Sequence, residues 1–194
     1  MKPKSIFAAL AVAAAVALSA CGADSTNTAP EPAGSESQAA DTPEPRHTDD
    51  SGRPQVGFDP CLDIPDSALI EAGYDPASEE EADFPAGAYT FLGCQYDTKE
   101  VQYGLNVLSG NITFAEELEK VKDYSTPTEI NGRQALVEVR QEMPNGCSVS
   151  IETDYGVLII ARDTFRTHST QEIPYDTWCD GLEETASIFA RHLP

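Results

Sequence analysis

The chain has 194 residues, 33 of them Asp or Glu against 12 Lys or Arg, a formal charge of −21 at neutral pH. Nucleic-acid binding rests on Lys and Arg neutralising phosphates, so this balance argues against a nucleic-acid partner, and it equally disfavours a domain lying flat on an anionic membrane. It favours solubility and cationic partners, and is read here as a solvated acidic surface rather than a dedicated cation site.

The chain opens with Lys2 and Lys4, an apolar run from Ile6 to Leu18, and then Leu18-Ser19-Ala20-Cys21. A positive start followed by a short apolar run is the secretory pattern, and the run falls short of the about 20 apolar residues that a bilayer span needs. Small residues ahead of Cys21 suit cleavage there once diacylglyceryl sits on the thiol, with palmitate among the acyl chains expected. The expectation is a lipoprotein: residues 1–20 a signal peptide, Cys21 the lipid attachment site, and the protein exported and anchored to the outer face of the cell membrane. Two or three acyl chains hold stably where one binds only marginally. Loss of Lys2 and Lys4 with the leader takes the formal charge to −23.

Residues 21–57 read as a disordered tether. From Gly22 to Gly57 there is no aromatic residue, and Pro30, Pro32, Pro43, Pro45 and Pro54 punctuate Ala, Ser, Thr, Asp and Glu. Such a segment buries too little to offset the entropy of ordering itself. Apolar content returns at Phe58, so residues 58–194 are expected to form a single domain, long enough to bury a core.

Within that domain, Asp66–Ala72 reads as a short helix closed by Gly73. Tyr89–Tyr96 and Val101–Leu108 alternate as strands, with Val101, Tyr103, Leu105 and Val107 on one face. Thr113-Phe114-Ala115-Glu116 is a capping-box pattern, and Phe114, Leu118 and Val121 mark the expected buried stripe of a helix running to about Asp123. Gln134–Glu142, Cys147–Thr153 and Val157–Thr164 follow as a meander, with turns at Pro144-Asn145-Gly146 and Asp154-Tyr155-Gly156. In it Cys147, Val149 and Ile151 should face the core, and Ser148, Ser150 and Glu152 water. A last helix is expected from Asp176, with Trp178, Leu182, Ala186, Phe189 and Leu193 on one stripe and Cys179 in its first turn. The fold class is α+β: a mostly antiparallel sheet of about five or six strands packed by helices.

With Cys21 given to lipid, Cys61, Cys94, Cys147 and Cys179 remain. An even number in an exported domain points to two disulfides. Three pairings are open. Cys61 with Cys94 and Cys147 with Cys179 is preferred, because each then joins neighbouring segments of one half of the domain. Zinc is disfavoured: there is no Cys-x2-Cys pair, and His47, His168 and His192 are scattered. No cofactor and no metal site is therefore expected.

Catalytic motifs are absent: there is no Gly-x-Ser-x-Gly elbow, His-Glu-x-x-His pair, phosphate-binding Gly-rich loop or EF-hand. His192 is read as a surface or structural residue near a helix C-terminus, and His168 as a loop residue. Glu79-Glu80-Glu81 with Asp83 is the densest acidic run and lacks the glycine-bearing spacing of calcium loops, so it is read as a solvated loop. Asn111-Ile112-Thr113 matches a glycosylation sequon whose Thr doubles as the helix cap.

Phe58-Asp59-Pro60-Cys61, Ile64-Pro65-Asp66-Ser67-Ala68-Leu69, Ala72-Gly73-Tyr74-Asp75-Pro76, Gly93-Cys94-Gln95-Tyr96, Asn131-Gly132-Arg133-Gln134-Ala135, Cys147-Ser148-Val149 and Cys179 occur in this order behind the leader and tether. Together they resemble the actinobacterial lipoproteins of domain of unknown function 3558, which more often carry Trp at the position of Tyr96. The resemblance implies a cell-envelope lipoprotein with its cysteines oxidised, and supplies no catalytic mechanism. In outline the fold looks similar to the sandwich of the photosystem accessory protein PsbP, an analogy that carries no function. The function expected is a monomeric, non-catalytic binding or scaffolding module, held to the membrane through lipid on Cys21 and meeting an envelope protein. The alternatives are a carrier of an apolar or lipid ligand and, third, an enzyme, which would need a cleft with a strongly perturbed carboxylate or His.

Overall fold

The structure is a computed structural model that describes residues 51–84, 86–99, 103–140, 146–164 and 179–194. The leader, Cys21, the tether up to residue 50 with His47, and also Val101, Pro144, Asn145, His168, Asp176 and Trp178 lie outside the described residues. All described residues fall in one compact unit.

The elements in chain order are α1 (Pro60–Asp63), α2 (Asp66–Glu71), β1 (Asp75–Glu81), β2 (Phe91–Asp97), β3 (Tyr103–Gly110), α3 (Phe114–Val121), β4 (Ser125–Ile130), β5 (Arg133–Val139), β6 (Cys147–Glu152), β7 (Val157–Thr164) and α4 (Leu182–Ala190). The class is α+β as expected, but the sheet has seven strands, in the order β1-β2-β3-β7-β6-β5-β4. Every pairing is antiparallel. Two meanders, β1 to β3 and β4 to β7, meet where β3 pairs with β7, and α3 carries the chain from one to the other edge.

The two strands with no counterpart among the five segments read from the sequence are the edges. β1, Asp-Pro-Ala-Ser-Glu-Glu-Glu, has no apolar alternation because only one of its backbone sides is paired and most of its side chains face water. Acidic side chains on such a strand oppose edge-to-edge association. β4 carries Pro127, which an edge strand tolerates because a missing N–H there breaks no ladder bond. Its hairpin to β5 turns at Asn131 and Gly132, with φ of 49° and 83°, the two positive values that a type I′ turn requires.

One face of the sheet holds the main core. Leu92, Cys94, Tyr96, Leu105, Val107, Val149, Ile151, Leu158 and Ile160 point to it, and α1, α2 and α4 cover them with Ala68, Leu69, Leu182, Ala186 and Phe189. Local chemistry shapes those helices. Asp59 caps α1 by accepting from the Cys61 N–H at 3.0 Å, with Pro60 in its first turn. α2 is C-capped by Ala72, followed by Gly73 at φ 88°. Leu182, Ala186 and Phe189 form the expected stripe of the last helix. That helix begins at Leu182 behind Gly181 in the left-handed region, so Cys179 lies ahead of it rather than in its first turn.

The second face differs from its expected character. Ser148 and Ser150 are buried rather than wet, at 7% and 0% exposure, because α3 lies over that side. α3 itself is turned from the expected stripe: Leu118 is exposed, whereas Glu117 and Val121 are buried. Positions 114, 117 and 121 make a helical stripe as good as 114, 118 and 121, and the polar sheet surface accepts the carboxylate. A smaller apolar cluster of Phe91, Ile112 and Val157 closes the other end of this face.

Candidate functional site

The ladder lines up a polar row on the second face. Ser125 of β4 is paired with Glu138 of β5, which is paired with Ser148 of β6. Glu138 is 2% exposed; its Oε1 accepts from the Ser150 hydroxyl at 2.5 Å and its Oε2 from the Ser148 hydroxyl at 3.1 Å. A buried carboxylate in an apolar strand is costly unless hydrogen-bonded, and the two serines meet that demand.

α3 adds the second acid. Its start is set by the capping box read from the sequence: Thr113 Oγ1 accepts from the Glu116 N–H at 3.2 Å, and the Glu116 carboxylate accepts from the Thr113 N–H at 2.9 Å. That start fixes the helix rotation that buries Glu117, whose Oε2 pairs with Lys120 Nζ at 2.5 Å. Burial pushes the Glu117 carboxyl above the usual carboxylate range; the Lys120 ammonium opposes the rise, the Glu138 charge adds to it, and Arg140 offsets part. Lys120 is half-exposed, and Arg140 lies over the Tyr124 ring at 5.0 Å. No imidazole joins these residues among the described ones, and His192 lies exposed beyond α4.

The cysteines lie on the opposite face. Cys61 of α1 is bonded to Cys94 of β2, and Cys147 of β6 to Cys179 ahead of α4, with Cα separations of 5.3 and 5.6 Å. Glu79 brings a carboxylate within 4.8 Å of the Cys61 and Cys94 sulfurs, a set with the donor types of a metal site. With the sulfurs bonded to each other there is no thiolate to ligate a metal.

The acidic run expected in a loop is instead on and beside β1, with Glu80 opposite Gln95 and Glu81 opposite Cys94. Asp83 accepts from the Gly93 N–H at 2.8 Å, which takes it out of any free acidic patch. Asp97, at the far end of β2, is shifted up by desolvation and then by Glu80. Asn111 of the sequon is wholly buried, accepting from the Thr90 N–H at 2.9 Å and donating to the Pro54 carbonyl at 3.3 Å.

Arg53 joins the N-terminal segment to the domain. Its guanidinium donates to both Glu116 oxygens at 2.9 and 2.8 Å and to the Asn111 carbonyl at 3.3 Å, and it lies over the Tyr89 ring at 4.3 Å. Arg53, together with the Thr113 bonds, holds the Glu116 carboxyl down at about 2. Beyond this clasp, Val56 and Phe58 enter the core.

Sequence reasoning passed over Glu117, Glu138 and Arg53. A signal for Glu138 was present: it shares strand parity with Leu136, and a meander must set it across from the Ser148-x-Ser150 pair. Arg53 gave none, because its partners lie 58 and 63 residues away in sequence.

Residues 16–190 match the family described as protein of unknown function (DUF3558). Neither a curated protein nor a solved structure matches the chain.

Proposed function

The chain belongs to the DUF3558 family, and on that premise we propose that it is an actinobacterial lipoprotein, anchored through Cys21 outside the cell membrane. Its folded domain acts there as a non-catalytic binding or scaffolding module of the cell envelope. The observation that carries this reading is how the helical layer meets the sheet. Tyr96, Leu105, Ile151, Leu158, Leu69 and Phe189, each essentially inaccessible, occupy the space between the layers, and the two disulfides staple both ends of the helical layer to the same sheet face. An interior filled and cross-linked in this way leaves recognition to the outer surface.

That surface is acidic along the β1 edge, where Glu79, Glu80 and Glu81 are exposed. A cationic partner in the envelope suits it, and charge of this kind sets partner choice and association rate more than affinity. The likeness in outline to PsbP remains an analogy of fold and adds nothing to the function.

Native mass spectrometry of the lipid-anchored protein, purified gently from its own membranes, tests the reading. The expected result is the bare lipoprotein mass, or that mass raised by a second polypeptide. An apolar small molecule that co-purifies and is lost when the sheet-facing side of α4 is disrupted would overturn the module in favour of a carrier.

A further inference from the structure

We propose that the Cys61–Cys94 bond is a site of S-thiolation: a small uncharged or cationic thiol adds at Cys61, and the Glu79 carboxylate turns anionic thiols away. The inference goes beyond the proposed function and concerns the folded domain alone.

Three elements bring the groups together. Cys61 lies on α1, Cys94 on β2 and Glu79 on β1, and the two sulfurs and a Glu79 oxygen all lie within 4.8 Å of one another. The register of β1 against β2 shifts between Asp75 and Glu80, the kind of irregularity that re-aims a side chain. The buried Tyr96 hydroxyl donates to the Pro60 carbonyl at 3.0 Å, next to Cys61, and reaches Glu79 Oε2 at 3.5 Å. The acids flanking Cys61 in sequence are committed to the backbone: Asp59 accepts from the Cys61 N–H at 3.0 Å, and Asp63 from the Asp59 N–H at 2.7 Å.

The two sulfurs differ in access. Cys61 is partly buried and Cys94 is 0% exposed, so an incoming thiolate meets Cys61. A bond forms between its sulfur and Cys61 Sγ as the Cys61–Cys94 bond breaks. The electron pair of that bond leaves on Cys94 Sγ, which takes a proton from solvent; the incoming sulfur is oxidised and the Cys94 sulfur reduced. During the exchange one negative charge is spread over the three sulfurs. The Glu79 carboxylate is exposed but near enough to oppose that charge, together with any further negative charge the thiol carries, whereas an ammonium on the thiol offsets it.

The folded full chain at neutral pH, treated with cysteamine (cationic), mercaptoethanol (uncharged) or glutathione (anionic), tests the proposal. Samples are acid-quenched early, alkylated and mapped by peptide mass spectrometry. Each rate is divided by that of the same thiol with a small uncharged disulfide, which removes differences in intrinsic thiol reactivity. Cys61–Cys94 is expected to open fastest with cysteamine, then mercaptoethanol, then glutathione, with the mixed disulfide on Cys61. Glu79→Gln is expected to speed the mercaptoethanol reaction about two- to fivefold at low salt and to narrow the spread among the thiols, with Cys147–Cys179 opening as in the wild type. No opening by any of the thiols, rates that ignore thiol charge, a mixed disulfide on Cys94, or Glu79→Gln rates equal to wild type overturn the proposal. Should Glu79→Gln fail to fold, the wild type in about 1 M salt decides, since screening there acts within about 3 Å. A spread that narrows supports the role of Glu79, and one that persists refutes it.

Discussion

Replacing Cys147 and Cys179 together by Ala removes one staple between sheet and helical layer, and the structure sets the size of the effect. The closed loop spans 32 residues, for which loop-closure entropy lost from the unfolded chain corresponds to about 3.7 kcal/mol at 25 °C. Cys147 is 1% exposed and packs beside Val149 in the core, so deleting its sulfur adds about 1 kcal/mol of lost burial. The expected loss is therefore about 4–5 kcal/mol, a large part of the roughly 5–15 kcal/mol typical of a domain. The Cys61–Cys94 loop spans 33 residues, so its removal should be of nearly equal size. The two loops share no residue, so the losses should add and leave the quadruple variant unfolded or close to it. Urea unfolding of the full chain measures this, and the slope with urea should rise as the freed unfolded chain exposes more surface. A loss below about 1 kcal/mol, together with free thiols titrating in the native wild type, would refute both the pairing and the entropic reasoning.

Further outcomes follow from other contacts. Cys21→Ser should release the protein from membranes with its melting curve unchanged; a variant that still pellets with membranes refutes the lipid anchor. Arg53→Ala should cost about 0.5–1 kcal/mol at pH 7, a discounted figure because the Glu116 side chain is 38% exposed. Since Glu116 is held down at about 2, that difference is fully present above the ordinary Glu range and should shrink as pH falls towards 2; a gap in melting temperature that stays constant from pH 7 to pH 2 would exclude the clasp. Gly156→Ala would place a Cβ 2.2 Å from the Gly110 carbonyl oxygen, and should lower stability by at least about 1–3 kcal/mol in thermal denaturation; an unchanged melting temperature would contradict that close approach of the β6–β7 turn to the end of β3.

The elements legible in the sequence are those whose signal is local. The Thr113–Glu116 capping box, the Gly73 stop, the Asp154-Tyr155-Gly156 turn and the alternation in β2, β3, β6 and β7 all depend on residues within a few positions of one another. β1 and β4 were passed over because edge strands need no apolar alternation. Even so, Asn131-Gly132 carried a hairpin signal that the polar Ser125–Ile130 segment obscured.

By itself the sequence determined the export-type leader pattern, the acidic balance, the α+β class and the periodicity of the core-facing strands, since each follows from composition or short-range spacing. Only the tertiary structure decided that the serine face of β6 is buried, that Glu117 rather than Leu118 turns inward, and that Arg53 clasps Glu116. Those outcomes depend on which element crosses over which face of the sheet. Chain order leaves that choice open until the two meanders meet at β3 and β7 and α3 must span the polar side between them.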